Sequence, residues 1–180
     1  MTKILLVLTI EKKFIFSKIK MFFIDFEAFQ IAKGGDYIIK ELAIVNSHNP
    51  LEPLYYLFEA PYPWHDLTEE QKRQCSYQSR NIHHLTWQDG IQRYCYNCVQ
   101  YIILNELEFA TSIPFYVMGN QKYKFLEKTF PYLKFIEYTA TLESLPKLYP
   151  HIRCLTREHG DHCALKKAYR LYLHYVKDVE

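Results

Sequence analysis

Cys154, His159 and Cys163 place two thiols and an imidazole within ten residues, in the pattern Cys-x4-His-x3-Cys. These are the donor types of a tetrahedral zinc site, and they supply three of its four donors. The last opens His162-Cys163-Ala164-Leu165, the head of an apolar segment with helical spacing. Far upstream, Asp25-Phe26-Glu27 sets two carboxylates two residues apart. On a strand that spacing turns both to one face, and hard divalent cations take carboxylate oxygens as ligands. Cys95-x2-Cys98 can be read as half a metal site or as a redox pair. No second Cys-x2-Cys exists and both residues fit an apolar helix face, so the pair reads as structural. His83-His84 before Trp87 reads as a turn packed on the core, or as the lining of a cleft.

These residues need a scaffold. The chain has 180 residues, 49% apolar and 23% charged, enough for one domain with a substantial core. Aromatic residues reach 17%, more than a core needs, so some rings belong at a surface. Five cysteines, an odd and sparse number, argue against a disulfide scaffold and for an intracellular protein of cytoplasm or nucleus. No apolar run approaches the length of a membrane span, so no membrane partner is expected. A net charge of +2 leaves no strong footprint for nucleic acid. A local patch is available, because Lys122, Lys124, Lys128, Arg153, Arg157, Lys166, Lys167 and Arg170 gather in the C-terminal half. They read either as a solvated helix face or as phosphate contacts aided by stacking rings.

Residues 1–20 read as an N-terminal extension of unknown role, and residues 21–180 as the domain. Ile4–Ile10 faintly resembles a signal peptide, but Glu11-Lys12-Lys13 follows and no cleavage site appears. Strands are predicted at 21–26, 37–45 and 54–58, joined by breakers at Lys33-Gly34-Gly35-Asp36 and at Pro50 and Pro53. Helices are predicted at 67–79, capped by Asp66 or Thr68, and at 92–109. A strand at 114–118, a helix at 122–130, a strand at 135–138, a short helix at 143–149 and a last helix at 163–177 follow. Three antiparallel strands and then helix–strand alternation predict an α/β fold. Its mixed sheet carries helices on both faces, in the order of a ribonuclease H-like fold.

Ile24-Asp25-Phe26-Glu27 resembles the first motif of the DEDD-type 3′–5′ exonuclease superfamily. His84-Leu85-Thr86, the strand and helix of Phe115–Leu126, and His162-Cys163-Ala164-Leu165-Lys166-Lys167-Ala168 resemble its later segments. The resemblance covers about residues 21–177. It implies four carboxylates around two cations about 4 Å apart. Lys122 and Lys167 stand near the places of the second- and third-motif Asp. Ammonium groups cannot ligate a cation, so the resemblance implies a disabled centre in which these lysines neutralise Asp25 and Glu27.

Loss of that centre beside a zinc site resembles one branch of the superfamily, the Maelstrom domain. This branch implies a Glu-Cys-His-Cys zinc site: Glu41 on the second strand, with Cys154, His159 and Cys163. The Cys-to-His gap is longer here, and the His-to-Cys gap shorter, than in the family, so His162 stays an alternative. His162 directly precedes Cys163, which favours His159. The resemblance implies an RNA- or single-stranded nucleic-acid-binding domain, with Lys122, Lys124, Lys166, Lys167 and Arg170 as contacts, and it permits residual ribonuclease activity. Two alternatives stand beside it. One is an active exonuclease using Mg²⁺ or Mn²⁺ on Asp25 and Glu27, with Asp89 or Asp161 recruited and His159 or His162 as base. The other is a protein-interaction module that binds no nucleic acid.

Overall fold

A computed structural model describes residues 20–31, 37–89, 94–107, 112–147, 154 and 160–179. The extension expected at 1–20 lies almost wholly outside the described residues. Strand β1, Phe22–Gln30, is buried on both faces because it is the central strand of a five-stranded mixed sheet. The strand order is β3-β2-β1-β4-β5, with β2 at Tyr37–Asn46, β3 at Asn49–Leu57, β4 at Phe115–Met118 and β5 at Phe135–Tyr138. β1 runs antiparallel to β2 and parallel to β4. β2 and β3 pair antiparallel, and β4 and β5 parallel. The α/β class and the mixed sheet flanked by helices are therefore as the sequence predicts.

The alternation of β1 builds two cores. Phe22, Ile24 and Phe26 face helix α2 (Cys98–Leu107) through Val99, Ile102 and Ile103, and helix α3 (Asn120–Thr129) through Leu126. On the opposite face, Met21 and Phe23 pack with Ala43 and Val45 beneath Leu165, Ala168 and Leu171 of helix α4 (Ala164–Val179). Phe29 and Ile38 carry a third cluster with Cys75 of helix α1 (Glu69–Gln78), Leu67 and Trp87. Thr68, one of the two expected caps, forms a capping box with Gln71 at the start of α1. A π-helical turn, Ser79–His83, follows and ends at His84 in the left-handed region (φ 58°).

Several element bounds differ from expectation, and β1 runs on to Gln30 rather than ending at 26. β3 starts at Asn49 rather than 54, because it is an edge strand and Pro50 and Pro53 need no inward N–H there. The helix expected from 92 starts at Cys98. Tyr94 instead bridges Phe58, accepting from Glu59 N (2.8 Å) and donating to Leu57 O (3.2 Å). Residues 142–144 form a turn where a short helix is expected. Pro146 disfavours a helical Leu145, and Arg170 holds the turn by donating to the carbonyls of Leu142 (2.7 Å), Leu145 (3.1 Å) and Pro146 (2.9 Å). Among the described residues, no helix is long and apolar enough to cross a membrane.

Phe23 is fully buried, stacks on Tyr116 (5.4 Å between centroids) and meets Tyr172 edge-on (5.6 Å). Phe23→Ala is expected to cost about 3–5 kcal/mol in denaturant unfolding. Thr68→Ala, which removes only a cap, is expected to cost about 1 kcal/mol.

Candidate functional site

β1 and β2 are registered so that Glu27 stands directly opposite Glu41. Opposed residues of an antiparallel pair share a face, and like charges there repel. Both glutamates are buried beneath α4, at 4% and 0% exposure. Each is compensated differently, and the two solutions are the two candidate sites.

Glu41 joins the thiols. Its Oε1 lies 3.7 Å from Cys154 Sγ and 3.4 Å from Cys163 Sγ, and the three donor atoms all fall within 4.8 Å of one another. A tetrahedral ion with thiolates at about 2.3 Å and a carboxylate oxygen at about 2.0 Å has S···O edges of about 3.5 Å. The observed edges therefore suit a metal ion, and Glu41, Cys154 and Cys163 could hold one. The elements explain the convergence. Cys163 sits one residue before α4, whose first N–H, on Ala164, donates to Glu41 Oε2 (3.0 Å). A carboxylate there is favoured by the positive end of the helix. With thiols as donors, a hydrogen bond to Cys154, burial and the Glu41 charge all push the Cys163 thiol far up. A soft dication reverses that balance by binding the thiolates.

Tyr55 belongs to this group and is absent from the sequence reading. Its hydroxyl donates to Glu41 Oε1 and lies 3.0 Å from Cys154 Sγ. The signal was available in the register. Ala43 pairs with Tyr55 and Glu41 with Leu57, so Tyr55 is the diagonal same-face neighbour of Glu41. His159 lies outside the described residues. His162 does not join the group. It precedes Cys163 in a 3-10 turn, Gly160–His162, and its ring instead meets that of His84, 5.6 Å away.

Glu27 and Asp25 meet lysines. Lys122, in the first turn of α3, donates to Asp25 Oδ1 (2.7 Å), to Glu27 Oε1 (3.4 Å) and to the Phe26 carbonyl. Lys167, from α4, donates to Glu27 Oε1 (2.5 Å). Both carboxylates are buried, so the charges matter. Burial raises Glu27, but Lys122 and Lys167 outweigh it and hold it below the usual range. For Asp25, burial dominates the lysines and pushes it up to about 6; its Oδ2 is buried with no hydrogen-bond partner among the described residues. Burial pulls Lys122 down, yet Asp25 and Glu27 lift it well above an ordinary lysine.

Among the described residues no third acidic, His or Cys ligand joins Asp25 and Glu27 in a metal-holding group. Asp89 accepts instead from Thr86 N (2.5 Å), and Asp161 is 76% exposed, 3.9 Å from Arg170. His83, buried against Phe29, accepts from Leu85 N at Nδ1 (3.1 Å). Of the five basic residues read as nucleic-acid contacts, Lys122, Lys167 and Arg170 are bound internally, whereas Lys124 is exposed and Lys166 half-buried. Arg153 and Arg157 lie outside the described residues. Cys95 and Cys98, expected as free structural thiols, are joined as a disulfide across a four-residue loop. No protein-family model, curated protein or solved structure matches the chain.

Removing one partner of a buried ion pair strands the other charge. Lys122→Met is therefore expected to cost about 3–5 kcal/mol at neutral pH, read by urea unfolding. The pH dependence has a definite sign. Native Asp25 titrates at about 6 against an ordinary 3.8, so between those values the folded state keeps a proton that the unfolded chain loses. That contribution falls as pH rises through the window, by on the order of 2 kcal/mol. Glu27 acts oppositely, its contribution being lost as pH drops below its ordinary 4.5. Asp25→Asn is expected to flatten the slope between pH 4 and 6. An unchanged slope would show that Asp25 is not its source.

Proposed function

We propose that this chain is a ribonuclease H-like domain of Maelstrom type, held by a structural zinc ion, that binds single-stranded nucleic acid and has no two-metal exonuclease centre. One observation carries the reading. The ammonium groups of Lys122 and Lys167 lie against Asp25 and Glu27, where a metal pair would need oxygen ligands. Three antiparallel strands followed by two parallel ones support the fold assignment.

Zinc is the metal best suited to a Glu-Cys-Cys donor set of this size, and the fourth ligand expected from the sequence is His159. When bound it supplies folding free energy and no chemistry, because two thiolates, a carboxylate and an imidazole close the site. Glu41 on β2 and Cys163 before α4 would then be clamped across the face that carries Glu27 and Lys167. Nucleic acid would be met by Lys124 and Lys166, with exposed rings such as Tyr77, Tyr101 and Tyr132 available for stacking.

Metal analysis of the purified chain is expected to give about one zinc per protein. Cys154→Ser should lose the metal and lower the melting temperature, as should a strong chelator. A zinc-free protein of unchanged stability would refute the metal assignment. Labelled single-stranded RNA should bind and remain uncut in Mg²⁺ or Mn²⁺. With two lysine–phosphate contacts, log K should fall against log salt with a slope of about −1.4, roughly sevenfold between 50 and 200 mM. Mg²⁺-dependent cleavage abolished by Asp25→Ala, or no salt-dependent binding at all, would overturn the reading.

A further inference from the structure

On the sheet face away from α4, a cavity of about 630 Å³ opens between β2, α2 and α3. That volume is in the range of small-ligand sites. Its walls include the rings of Tyr37, Tyr96 and Phe125, and its polar groups include Asn97, Gln100 and Lys128. Two of the rings have their hydroxyls committed elsewhere. Tyr37 donates to Gln121 (3.1 Å), and Tyr96 donates to the Tyr37 carbonyl (3.3 Å). They therefore offer flat apolar surface to an occupant, beside the ring of Phe125, which stands edge-on to Tyr37 at 5.1 Å.

The polar groups are of two kinds. Asn97 and Gln100 are exposed primary amides, each a donor and an acceptor, suited to the edge of a heterocycle. Lys128 is an exposed cation in the last turn of α3, one turn from exposed Lys124. Flat rings, amides and a cation together match one ligand chemistry: a planar nitrogen heterocycle bearing an anionic group.

We propose that this cavity binds a nucleotide, its base against Tyr37, Tyr96 and Phe125 and its phosphate at Lys128. The occupant is a free mononucleotide or one unit of a single-stranded chain. The site stands on its own geometry and requires neither the zinc nor the ribonuclease H-like assignment.

Calorimetry with adenosine 5′-monophosphate, adenosine and inorganic phosphate tests it on the full chain. The nucleotide should bind more tightly than either fragment. Lys128→Glu should weaken it about tenfold or more, as loss of a charge-assisted contact does, and Gln100→Leu should weaken it as well. Both positions are exposed, so melting temperatures should stay unchanged. Phe125→Ala is avoided because Phe125 also packs on Phe26. A short single-stranded RNA identifies the source. Tighter binding than the mononucleotide, with the same sensitivity to both variants, assigns the cavity to a chain; weaker or equal binding assigns it to free nucleotide. No nucleotide binding, binding untouched by both variants, or adenosine binding as tightly as its phosphate would each overturn the proposal. Lys177→Glu, an exposed charge reversal in the last turn of α4 outside the assigned contacts, should leave nucleotide binding intact.

Discussion

Two buried glutamates face each other across the central strand pair, and much of the molecule is arranged to make that tolerable. Glu27 and Glu41 are opposed in register and covered by the same helix. Neither can be neutralised by solvent at that depth. Glu27 is met by two ammonium groups reaching in from different helices, and Glu41 by a backbone N–H, a phenol and two thiols. α4 contributes to both solutions, through Lys167 on one side and Ala164 and Cys163 on the other. The closing helix is therefore fastened to the sheet by polar chemistry at its start and by apolar packing along its length.

This arrangement separates two kinds of cation. The lysines are fixed parts of the chain, so the Asp25–Glu27 side keeps its charge balance without help from solution. The Glu41 side gathers thiol donors instead, and the Cys163 thiol resists ionisation until a soft ion binds it. A carboxylate pair on β1 bound by lysines thus sits beside a group, Glu41 on β2 with Cys154 and Cys163, that could hold a metal ion. Tyr55 ties β3 to this group by hydrogen bonds to both Glu41 and Cys154.

Much of this was legible in the residues. The breakers and alternation up to residue 58, and the helix–strand rhythm after 114, gave the α/β class and the mixed sheet. Cys154 and Cys163 stood out by local spacing, whereas Glu41 was singled out only through a family resemblance and not by its own neighbours. What local pattern could not give were contacts made by distant register. Tyr55 reaches Glu41 only through the pairing of β2 with β3, and Arg170, read as a surface cation, turns inward to cap three carbonyls of a turn over twenty residues away. The helix expected from 92 was misjudged for a similar reason. Tyr94 has helical neighbours in sequence, but its backbone groups find partners in Leu57 and Glu59. His162 fits a ligand pattern on paper, yet adjacency to Cys163 sends its ring the other way.

The two rims of the sheet are guarded unequally. β5 is only four residues long, while β3 offers nine and exposes Leu51 at 82%. Pro50 and Pro53 remove two of the outward amides that an incoming strand would pair with. Lateral growth into a continuous ribbon with a second molecule is thereby interrupted at the longer rim, and the shorter one has too little backbone to template it.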